Sequence, residues 1–543
     1  MKILVVIPAR GGSRGIPHKN IRIIGGRPLI SYSILCALHS KYKPTVVVSS
    51  ENDKIISVAQ KFGAIAIERP VELSSDEVTL DPVINDAVEQ CESKFGQFDV
   101  VVTMQPTSPT LKTATLDAAL DYFCSNSLDT LISGVNDPRL SWKESPNGIE
   151  PIYQERKNRQ YLPNEYKETG AFVITKRCFI KTASRFGKKI AIFEIPKSEA
   201  IDIDDASDWY IAERELAKKR ILIRVEGHKK IGLGHIYRCL QIADSMIDHE
   251  ICFAISSYSD LGIKKLEDSH YKYVVLKDET QISNLIQEWH PDIVINDILN
   301  TSSKYINYLK KYSRVINFED LGEGAVCADA TINDLYTQSP SNNSAANTFW
   351  GSSYYIIRDE FLLAEQPHFN DKVKEILVVF GGTDPGNLTE KTLRALLMAN
   401  LPSDSHVTII LGLGYEDFSK IEKMTVDTNI CVCQNVASIS SYMEKADLAI
   451  SSQGRTMLEL ASLGVPTILM AQNPREKTHE FGSIHNGFLN LGLGQEVDVL
   501  TLAMTVDWLI QCPQIRKNMH DEMLKTDLKS GMKRVRKIIL NEE

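Results

Sequence analysis

A short basic and glycine-rich segment, residues 9–20, follows the first apolar run of the chain. Its basic residues and glycines are Arg10, Arg14, Lys19, Gly11, Gly12 and Gly15. Glycine lets backbone amides approach an anion closely, and the basic side chains add positive charge. The spacing fits neither a dinucleotide fingerprint nor a Walker P-loop. The segment therefore predicts a phosphate-binding loop of another kind, the alternative being a solvated basic turn.

Two aspartates stand in an extended segment near residue 200. Asp202 and Asp204 are two residues apart, so their side chains point to the same side of the segment. Such a pair can hold Mg²⁺, which prefers oxygen ligands and shares them with substrate phosphates. The alternative is that the acidic run only favours the N-terminus of the following helix. Together with the basic loop, the pair predicts a metal-dependent attack on a nucleoside triphosphate.

A second constellation surrounds a histidine in the middle of the chain. His235 comes directly after a glycine-rich turn, GLG, at the start of a predicted helix. The positive end of the helix dipole favours the neutral imidazole, which can act as a base. A capping or packed histidine is the alternative. The turn before it is expected to face a cleft between two halves, and this favours catalysis.

Two later segments have the features of a nucleotide cradle. FGGTDPGN, residues 380–387, places Gly381, Gly382 and Thr383 between a strand and a helix, where backbone donors suit a diphosphate. SSQGRTMLELASLGVP, residues 451–466, contains Gln453 and carries Glu459 about one turn into a helix. Glu459 is predicted to accept hydrogen bonds from the ribose hydroxyls, the alternative being a surface glutamate.

Alternation of strands and helices must position these residues. Buried strands are predicted at 2–8, 45–49, 64–67, 100–104 and 130–135, and helices at 28–40, 53–62 and 81–95. Nearly continuous apolar strands are typical of a parallel sheet covered on both faces, so the fold class is α/β. Ligands of such sheets bind beyond the carboxyl ends of the strands.

The pattern restarts once along the chain. A helix at 208–216 closes the first unit, and a new strand begins at Ile221. We therefore expect one domain at 1–217 and a second at 221–543. The second is expected to contain two stacked α/β halves, at about 221–365 and 366–543, with a cleft between them.

Composition excludes several classes of protein. The chain has 543 residues, a net charge of −9 and a pI near 5.8, which argues against nonspecific binding to nucleic acid or to an anionic membrane. No apolar run is long enough for a membrane span, and the N-terminus lacks the features of a signal peptide. The ten cysteines are scattered and are expected to be reduced, packed thiols of a cytoplasmic protein.

Residues 1 to about 215 resemble the N-acylneuraminate cytidylyltransferases, the synthetases of CMP-sialic acids. The resemblance is carried by PARGGSRGIPHKN (8–20), RPVELSSD (69–76), QPTSP (105–109), RQYLP (159–163) and IDID (201–204). It implies that the CTP phosphates and ribose are held by Arg10, Arg14, Lys19 and Asn20. Arg10 and Lys19 would neutralise charge during the reaction. Arg69 would lie near the cytosine, Gln105 and Arg159 at the sugar acid, and Asp202 and Asp204 on Mg²⁺.

The sequence departs from this family at the sugar end of the site. The family's N-G-A-x-Y element is here Thr169-Gly170-Ala171-Phe172-Val173, so a threonine replaces an asparagine and a valine replaces a tyrosine. QPTSP is followed by Thr110-Leu111-Lys112 and not by Leu-Arg. The nucleotide end is unchanged. These differences indicate a nonulosonic acid other than plain N-acetylneuraminate.

Residues 221 to about 535 resemble the UDP-sugar hydrolase of pseudaminic acid biosynthesis and, more distantly, glycosyltransferases of the GT-B class. The resemblance is carried by GLGHIYR, FGGTDPGNLT and SSQGRTMLELASLGVP. It implies that His235 activates water for attack at the anomeric carbon, and that UDP is held by Gly381, Gly382, Thr383, Gln453 and Glu459. NFEDLGEG, residues 317–324, also matches and suggests Asp320 for the sugar pocket.

Together these patterns predict a bifunctional enzyme of pseudaminic- or legionaminic-type nonulosonate biosynthesis. A doubly wound nucleotidyltransferase domain would be followed by a GT-B-like pair of α/β domains. The expected ligands are CTP, a nonulosonic acid, Mg²⁺ and a UDP-sugar, with no cofactor at the hydrolase site. The family implies a homodimer through the first domain. Alternatively, the second domain is a glycosyltransferase or a non-catalytic UDP-sugar-binding module.

Overall fold

The computed structural model describes residues 1–12, 15–75, 77–146, 148–228, 231–278, 280–338, 347–365, 369–415 and 417–542. The chain forms two compact units, Met1–Lys218 and Lys219–Glu543. Arg14, predicted at the CTP phosphates, lies outside the described residues.

The first unit alternates strands and helices around one large sheet. Its strands are β1 Ile3–Pro8, β2 Ile23–Ile24, β3 Arg27–Pro28, β4 Thr45–Ser50, β5 Ile65–Glu68, β6 Val100–Thr103, β7 Thr130–Asn136, β8 Trp142–Ser145, β9 Gly148–Pro151, β10 Tyr166–Lys176 and β11 Ile190–Glu194. Its α-helices are α1 Leu29–Leu38, α2 Asp53–Lys61, α3 Leu80–Phe95, α4 Thr113–Ser125 and α5 Ala206–Leu216.

The main sheet of this unit has the strand order β11-β7-β10-β6-β1-β4-β5. β1 is fully buried and pairs in parallel with β4 and β6. In contrast to the parallel sheet predicted above, β10 runs antiparallel between β6 and β7. β10 follows the β8–β9 hairpin and not an α-helix, which is the usual connection between parallel neighbours. The loops after β1, β4, β5 and β6 lie at one edge of the sheet.

The second unit contains two parallel sheets. The first half comprises β12 Arg220–Val225, α6 Gly234–Ser245, β13 Glu250–Ser256, α7 Asp260–Ser269, β14 Tyr273–Leu276, α8 Gln281–Trp289, β15 Ile293–Asp297, α9 Ser303–Leu309, β16 Arg314–Phe318, β17 Ala330–Asn333, β18 Thr348–Trp350 and α10 Asp359–Leu363. Its sheet order is β14-β13-β12-β15-β16-β17-β18, with every pairing parallel.

The second half repeats this plan. It comprises β19 Glu375–Val379, α11 Leu388–Met398, β20 His406–Leu411, α12 Phe418–Met424, β21 Ile430–Gln434, α13 Ser440–Met443, β22 Leu448–Ser452, α14 Thr456–Ser462, β23 Thr467–Ala471, β24 Phe488–Leu493, α15 Val499–Gln511, α16 Pro513–Met523 and α17 Gly531–Leu540. The sheet order is β21-β20-β19-β22-β23-β24, again with parallel pairings.

The last helix packs on the first half, although it follows the second half in the chain. Val535 and Ile539 of α17 are buried in the core around β12 and α6. Arg536 bonds the Asp248 carboxylate at 2.9 Å, just beyond α6. The boundary expected at about residue 366 therefore assigns α17 to the wrong half, because its apolar face is buried against α6.

The predicted fold class is confirmed: an α/β unit with a mostly parallel sheet precedes a pair of parallel α/β halves. Among the described residues, no helix combines the length and apolar character needed to cross a membrane. All ten cysteines are free, but Cys124, Cys178 and Cys431 are exposed, contrary to the expectation of packed thiols.

Two candidate active sites

The basic loop after β1 lies at the edge where the parallel strands of the first unit end. The amide of Gly11 donates to Glu51 Oε1 at 2.6 Å, and Asn20 Nδ2 donates to the Arg10 carbonyl at 3.0 Å. Asn20 is buried, and its Oδ1 has no hydrogen-bond partner among the described residues. The loop is thus held by the Glu51 carboxylate and by the Asn20 side-chain amide, and the Asn20 oxygen can accept a hydrogen bond from a ligand.

The two predicted metal ligands have different surroundings. Asp204 is 83% exposed and lies 3.7 Å from Lys19 Nζ, which also donates to the Ile203 carbonyl. Asp202 Oδ1 is buried and has no partner in the part of the chain that the structure describes. Burial raises the pKa of Asp202, and the neighbouring Asp204 adds to the rise. A buried, unpartnered carboxylate oxygen beside a second carboxylate fits a divalent cation.

The acidic cluster divides into two groups. Asp205 is the N-cap of α5, accepts from the amides of Ser207 and Asp208, and forms a capping box with Asp208. Helix capping therefore accounts for the later members of the cluster. It leaves Asp202 and Asp204 available for a ligand.

Arg69 and Gln105 follow β5 and β6 at the same edge. Arg69 is buried; its Nη2 donates to the Ser49 carbonyl at 2.7 Å, and burial lowers its pKa. A Cβ atom on Gly170 would lie 3.1 Å from both Gln105 Oε1 and Asp202 Oδ2. Gln105 and Asp202 therefore flank the same glycine backbone.

Arg159 belongs to a cluster of cations that the sequence did not reveal. It forms a close ion pair with Asp137 and is 58% exposed. Asp137 also accepts hydrogen bonds from Lys197 at 2.7 Å, Arg139 at 2.8 Å and Lys167 at 3.1 Å. Lys197 and Lys167 hold the pKa of Asp137 well below its usual range. Four cations around one carboxylate leave a surplus of positive charge, which suits an acidic sugar. One feature of the sequence could have indicated this cluster, because Asp137 directly follows β7, which was among the predicted strands.

The two substituted family positions lie at a bulge in β10. The register of β10 shifts between Glu168 and Val173. Thr169 is buried, and its hydroxyl donates to Ser133 Oγ at 2.8 Å. Val173 is buried in the sheet, paired with β6 and β7.

The second site is a cleft of about 1270 Å³ between the two halves of the second unit. The first half contributes the glycine-rich turn and His235, and the second contributes Gly381, Gly382, Thr383 and Glu459. The two glycine loops face each other. A Cβ atom on Gly232 would lie 3.9 Å from Thr383 Oγ1, and one on Gly382 would lie 3.9 Å from Leu233.

His235 is paired with an aspartate at the end of β15. His235 Nδ1 lies 2.6 Å from Asp297 Oδ1, and Asp297 is fully buried. Burial alone would raise the pKa of Asp297, but Arg238 and His235 outweigh it and hold the pKa at about 2. Because this carboxylate is ionised, Nδ1 must carry the proton of the hydrogen bond. The neutral imidazole therefore leaves Nε2 free to act as a base.

A buried ionic network extends behind this pair. Arg238 is fully buried; it donates to Asp297 at 2.6 Å and 2.8 Å, to Glu319 at 2.5 Å and to Asp334 at 3.2 Å. Arg455, from the second half, donates to Asp334 at 2.9 Å and to Glu319 at 3.3 Å. These residues were not predicted from the sequence. A signal was present, because Asp297 ends β15, and Glu319 and Asp334 directly follow β16 and β17.

Backbone strain also concentrates in this cleft. Leu299 and Glu319 both line it, with positive φ angles of 65° and 49°. Such a conformation costs a non-glycine residue roughly 1–3 kcal/mol and persists only where the surroundings impose it. Here the Glu319 carboxylate is fixed by Arg238, and its carbonyl accepts from Arg475 at 2.8 Å.

In the second half, the glycine loop at residues 380–387 leads into α11. Gly381 has a φ of 79°, which favours glycine. The Asp384 carboxylate accepts from the amides of Leu388 at 2.9 Å and Thr389 at 2.8 Å, so it caps the helix. The amides of the loop itself border the cleft.

The remaining predicted residues have varied positions. Glu459 lines the cleft and accepts from Arg358 at 2.8 Å. Gln453 is buried, bonds the carbonyl of His479 at 2.8 Å, and has an unpartnered Oε1 among the described atoms. Asp320 is buried and accepts from Thr301, Asn317 and Gly322, so its neighbour Glu319, not Asp320, borders the cleft.

Comparisons with known proteins divide the chain in the same way. Residues 4–220 match the family model described as cytidylyltransferase, and residues 376–534 match the C-terminal domain of glycosyltransferase family 28.

Two relatives from Campylobacter jejuni match part of this chain along nearly their whole length. The pseudaminic acid cytidylyltransferase is 34% identical over 223 residues, covering 39% of this chain and 95% of the relative. The CMP-N,N'-diacetyllegionaminic acid synthase is 32% identical over 228 residues, covering 40% and 97%. An uncharacterised protein of Methanocaldococcus jannaschii is 29% identical over 277 residues, but the match spans only 57% of its length and 48% of this chain.

Proposed function

The chain belongs to the cytidylyltransferase family through its first unit, and from this premise we propose that it transfers CMP from CTP to a nonulosonic acid. The relatives named for pseudaminic and legionaminic acids support an acid of this diacetamido type. Their identities, 34% and 32%, do not separate the two sugars. The observation that carries the proposal is the meeting of the basic loop, Lys19 and the aspartate pair at one sheet edge.

In the proposed reaction, the anomeric hydroxyl of the sugar acid attacks the α-phosphorus of CTP and pyrophosphate leaves. Arg10 and Lys19 neutralise phosphate charge, and positioning lowers the barrier further. Arg159 and its cation cluster attract the sugar carboxylate. Asp202 and Asp204 would hold Mg²⁺, which supplies charge neutralisation at the phosphates.

For the second unit we propose hydrolysis of a UDP-sugar to UDP and free sugar. The supporting observation is the 2.6 Å contact between His235 Nδ1 and Asp297. His235 Nε2 takes a proton from water, whose oxygen bonds the anomeric carbon. The bond from that carbon to the phosphate oxygen breaks, and UDP leaves with the electron pair. Backbone amides of Gly381 and Gly382 would bind the diphosphate.

A glycosyltransferase is the second candidate for this unit. The match to the family 28 C-terminal domain over residues 376–534 favours it. In that case His235 would deprotonate a sugar hydroxyl in place of water. A non-catalytic UDP-sugar-binding module remains the third alternative.

The test measures both activities in one preparation of the full-length protein. Wild type, Asp202→Asn and His235→Ala are assayed for CMP transfer with a panel of nonulosonic acids, and for UDP release from UDP-diacetamido-trideoxyhexoses without an acceptor. We expect Asp202→Asn to lose only the first activity and His235→Ala only the second. UDP release that requires an added sugar acceptor would contradict hydrolysis and support transfer. UDP-sugar binding without turnover would support the binding module.

Homodimerisation through the first unit stays a prediction from the family resemblance. Light scattering of the full-length protein tests it.

A further inference from the structure

The charges around the His235–Asp297 pair come from both halves of the second unit. Among the described residues, the carboxylates of Asp297, Glu319 and Asp334 form ion pairs with the two guanidinium groups of Arg238 and Arg455, and Asp297 also contacts His235. This set carries one net negative charge, and protonation of His235 brings it to neutrality. In general, removing or adding one charge beside an imidazole changes the relative stability of its protonated form.

Arg455 is the member of the set that belongs to the nucleotide side. It immediately precedes α14, and Glu459 lies four residues further on. Both side chains therefore lie on the same side of the first turn of α14. Arg455 also packs against the turn before the histidine, since a Cβ atom on Gly234 would lie 3.1 Å from Arg455 Cδ. One residue therefore contacts the glycine turn and two of the three carboxylates.

We propose that Arg455 is a positioning residue for the reaction of the second unit. It sets the charge balance at His235 and links that balance to α14, the helix that carries Glu459. This inference rests on the proposed base role of His235. It assigns Arg455 no contact with the reacting atoms. Through Glu319 and Asp334, Arg455 limits how strongly the network attracts a proton to the imidazole before the nucleophile is deprotonated.

The groups that face the pair come from several elements. They are Arg238 and Cys239 of α6, Asp297 of β15, Glu319 after β16, Asp334 after β17, Arg455 before α14, and Arg475, Tyr336 and His479 beyond them. Arg475 donates to a carbonyl and to the Tyr336 hydroxyl, and it is half-buried at the cleft. Arg238 and Arg455 are therefore the cations paired directly with these buried carboxylates.

Removing a positive charge and removing a negative charge should shift the titration midpoint of His235 in opposite directions. Arg455→Gln removes a positive charge, so the imidazolium form of His235 is favoured and the base becomes free only at higher pH. Asp334→Asn removes a negative charge, so the base becomes free at lower pH. Each shift is expected to be about one pH unit, as for one charge a few ångströms away in a partly screened interior. Arg455→Lys keeps the charge and should leave the titration close to that of wild type.

The experiment follows the His235 ring directly in the full-length protein, labelled with ¹³C at histidine Cε1 and free of substrate. The signal is assigned by its loss in His235→Gln, and its titration is compared in wild type, Arg455→Gln, Arg455→Lys and Asp334→Asn. Arg394→Gln serves as the matched control, because Arg394 is 56% exposed and pairs with Glu390 at 2.8 Å outside the cleft.

A rise in the titration midpoint for Arg455→Gln and a fall for Asp334→Asn, with Arg455→Lys and the control unchanged, is the expected result. Unmoved midpoints, or shifts of the same sign, would overturn the proposal. If Arg455→Gln does not fold, Arg455→Met, which removes the charge and keeps an unbranched side chain beside Gly234, gives the same test. The titration needs no turnover, so a wild-type protein that releases no UDP would refute the proposed function while leaving this measurement interpretable.

Discussion

A Cβ atom built on Gly15 would lie 2.3 Å from the carbonyl oxygen of Asp204. The basic loop of the first unit therefore packs against the backbone of the proposed metal-binding segment. Because the obstacle is backbone and not a flexible side chain, any residue larger than glycine must displace one segment from the other. Through this contact, the position of the basic loop depends on the position of the segment that carries Asp202 and Asp204.

We predict that Gly15→Ala lowers CMP transfer by about tenfold or more, the scale expected for an overpacking strain of 1–3 kcal/mol. Gly12→Ala should lose less, because no atom lies within 4 Å of the Cβ position there. Initial rates of pyrophosphate release measure both. UDP release by the second unit normalises the samples for protein amount, and urea unfolding shows whether the first unit of each variant is folded. Equal losses in the two variants would show that packing against Asp204 is not the cause.

Arg159→Lys should raise the KM for the sugar acid by about tenfold and change the KM for CTP little, since lysine cannot grip a carboxylate with two parallel hydrogen bonds. Steady-state kinetics with each substrate varied in turn measure the difference. Arg139→Lys is the comparison, because Arg139 bonds the same Asp137 carboxylate at 2.8 Å. A matching loss in Arg139→Lys would assign the effect to Asp137 and not to the sugar.

Asp297→Asn should lower kcat for UDP release by on the order of a thousandfold, as expected when a buried carboxylate no longer fixes a catalytic imidazole. An asparagine amide can donate to Nδ1, which moves the ring proton to Nε2 and removes the base. The KM for the UDP-sugar should change little, because the proposed nucleotide contacts belong to the second half. CMP transfer in the same sample serves as the internal control. A variant that keeps its kcat would refute the dyad.

The stability of the second unit should depend on one half-buried glutamate, Glu476. Burial raises the pKa of Glu476 to about 7, above its usual 4.5. The protonated form is therefore favoured in the folded state, and its contribution to stability is complete below pH 4.5 and lost as the pH rises through about 7. The size of the loss is about 3 kcal/mol, from a shift of roughly two to three pH units.

Glu476→Gln should flatten this fall in stability between pH 5 and 8, since the amide does not titrate. Urea unfolding of the full-length protein, followed through the transition of the second unit, measures it. The exposed Glu422→Gln should retain the wild-type pH dependence. Parallel curves for wild type and Glu476→Gln would mean that the carboxyl group is solvated in solution.

Local patterns in the sequence predicted much of the fold. The predicted strand at 45–49 is Thr45–Ser50, and the predicted helix at 81–95 is Leu80–Phe95. These elements are legible because apolar periodicity and turn residues act over short distances. β10 was not among the predicted strands, and its direction depends on its pairing with β6 and β7, which are distant in the sequence.

In the candidate sites too, the sequence identified single residues but not their distant partners. Glycine turns followed by His235 identify one partner of the dyad, but Asp297 is 62 residues further along the chain. Arg455 reaches Glu319 across 136 residues. Such pairings are decided by the tertiary arrangement of strand ends, which no spacing in the sequence encodes. The cation cluster around Asp137 was missed for the same reason.

The return of α17 to the first half has a practical meaning for protein engineering. A chimera that exchanges the second half of this unit, from β19 to α16, for that of another protein cannot be made with a single junction. It needs one crossover in the connection before β19 and a second before Gly531, so that Val535 and Ile539 stay with the core against which they pack. In the chain, the second half is therefore an insertion between α10 and α17 of the first half, and it should be exchanged as an inserted segment with two junctions.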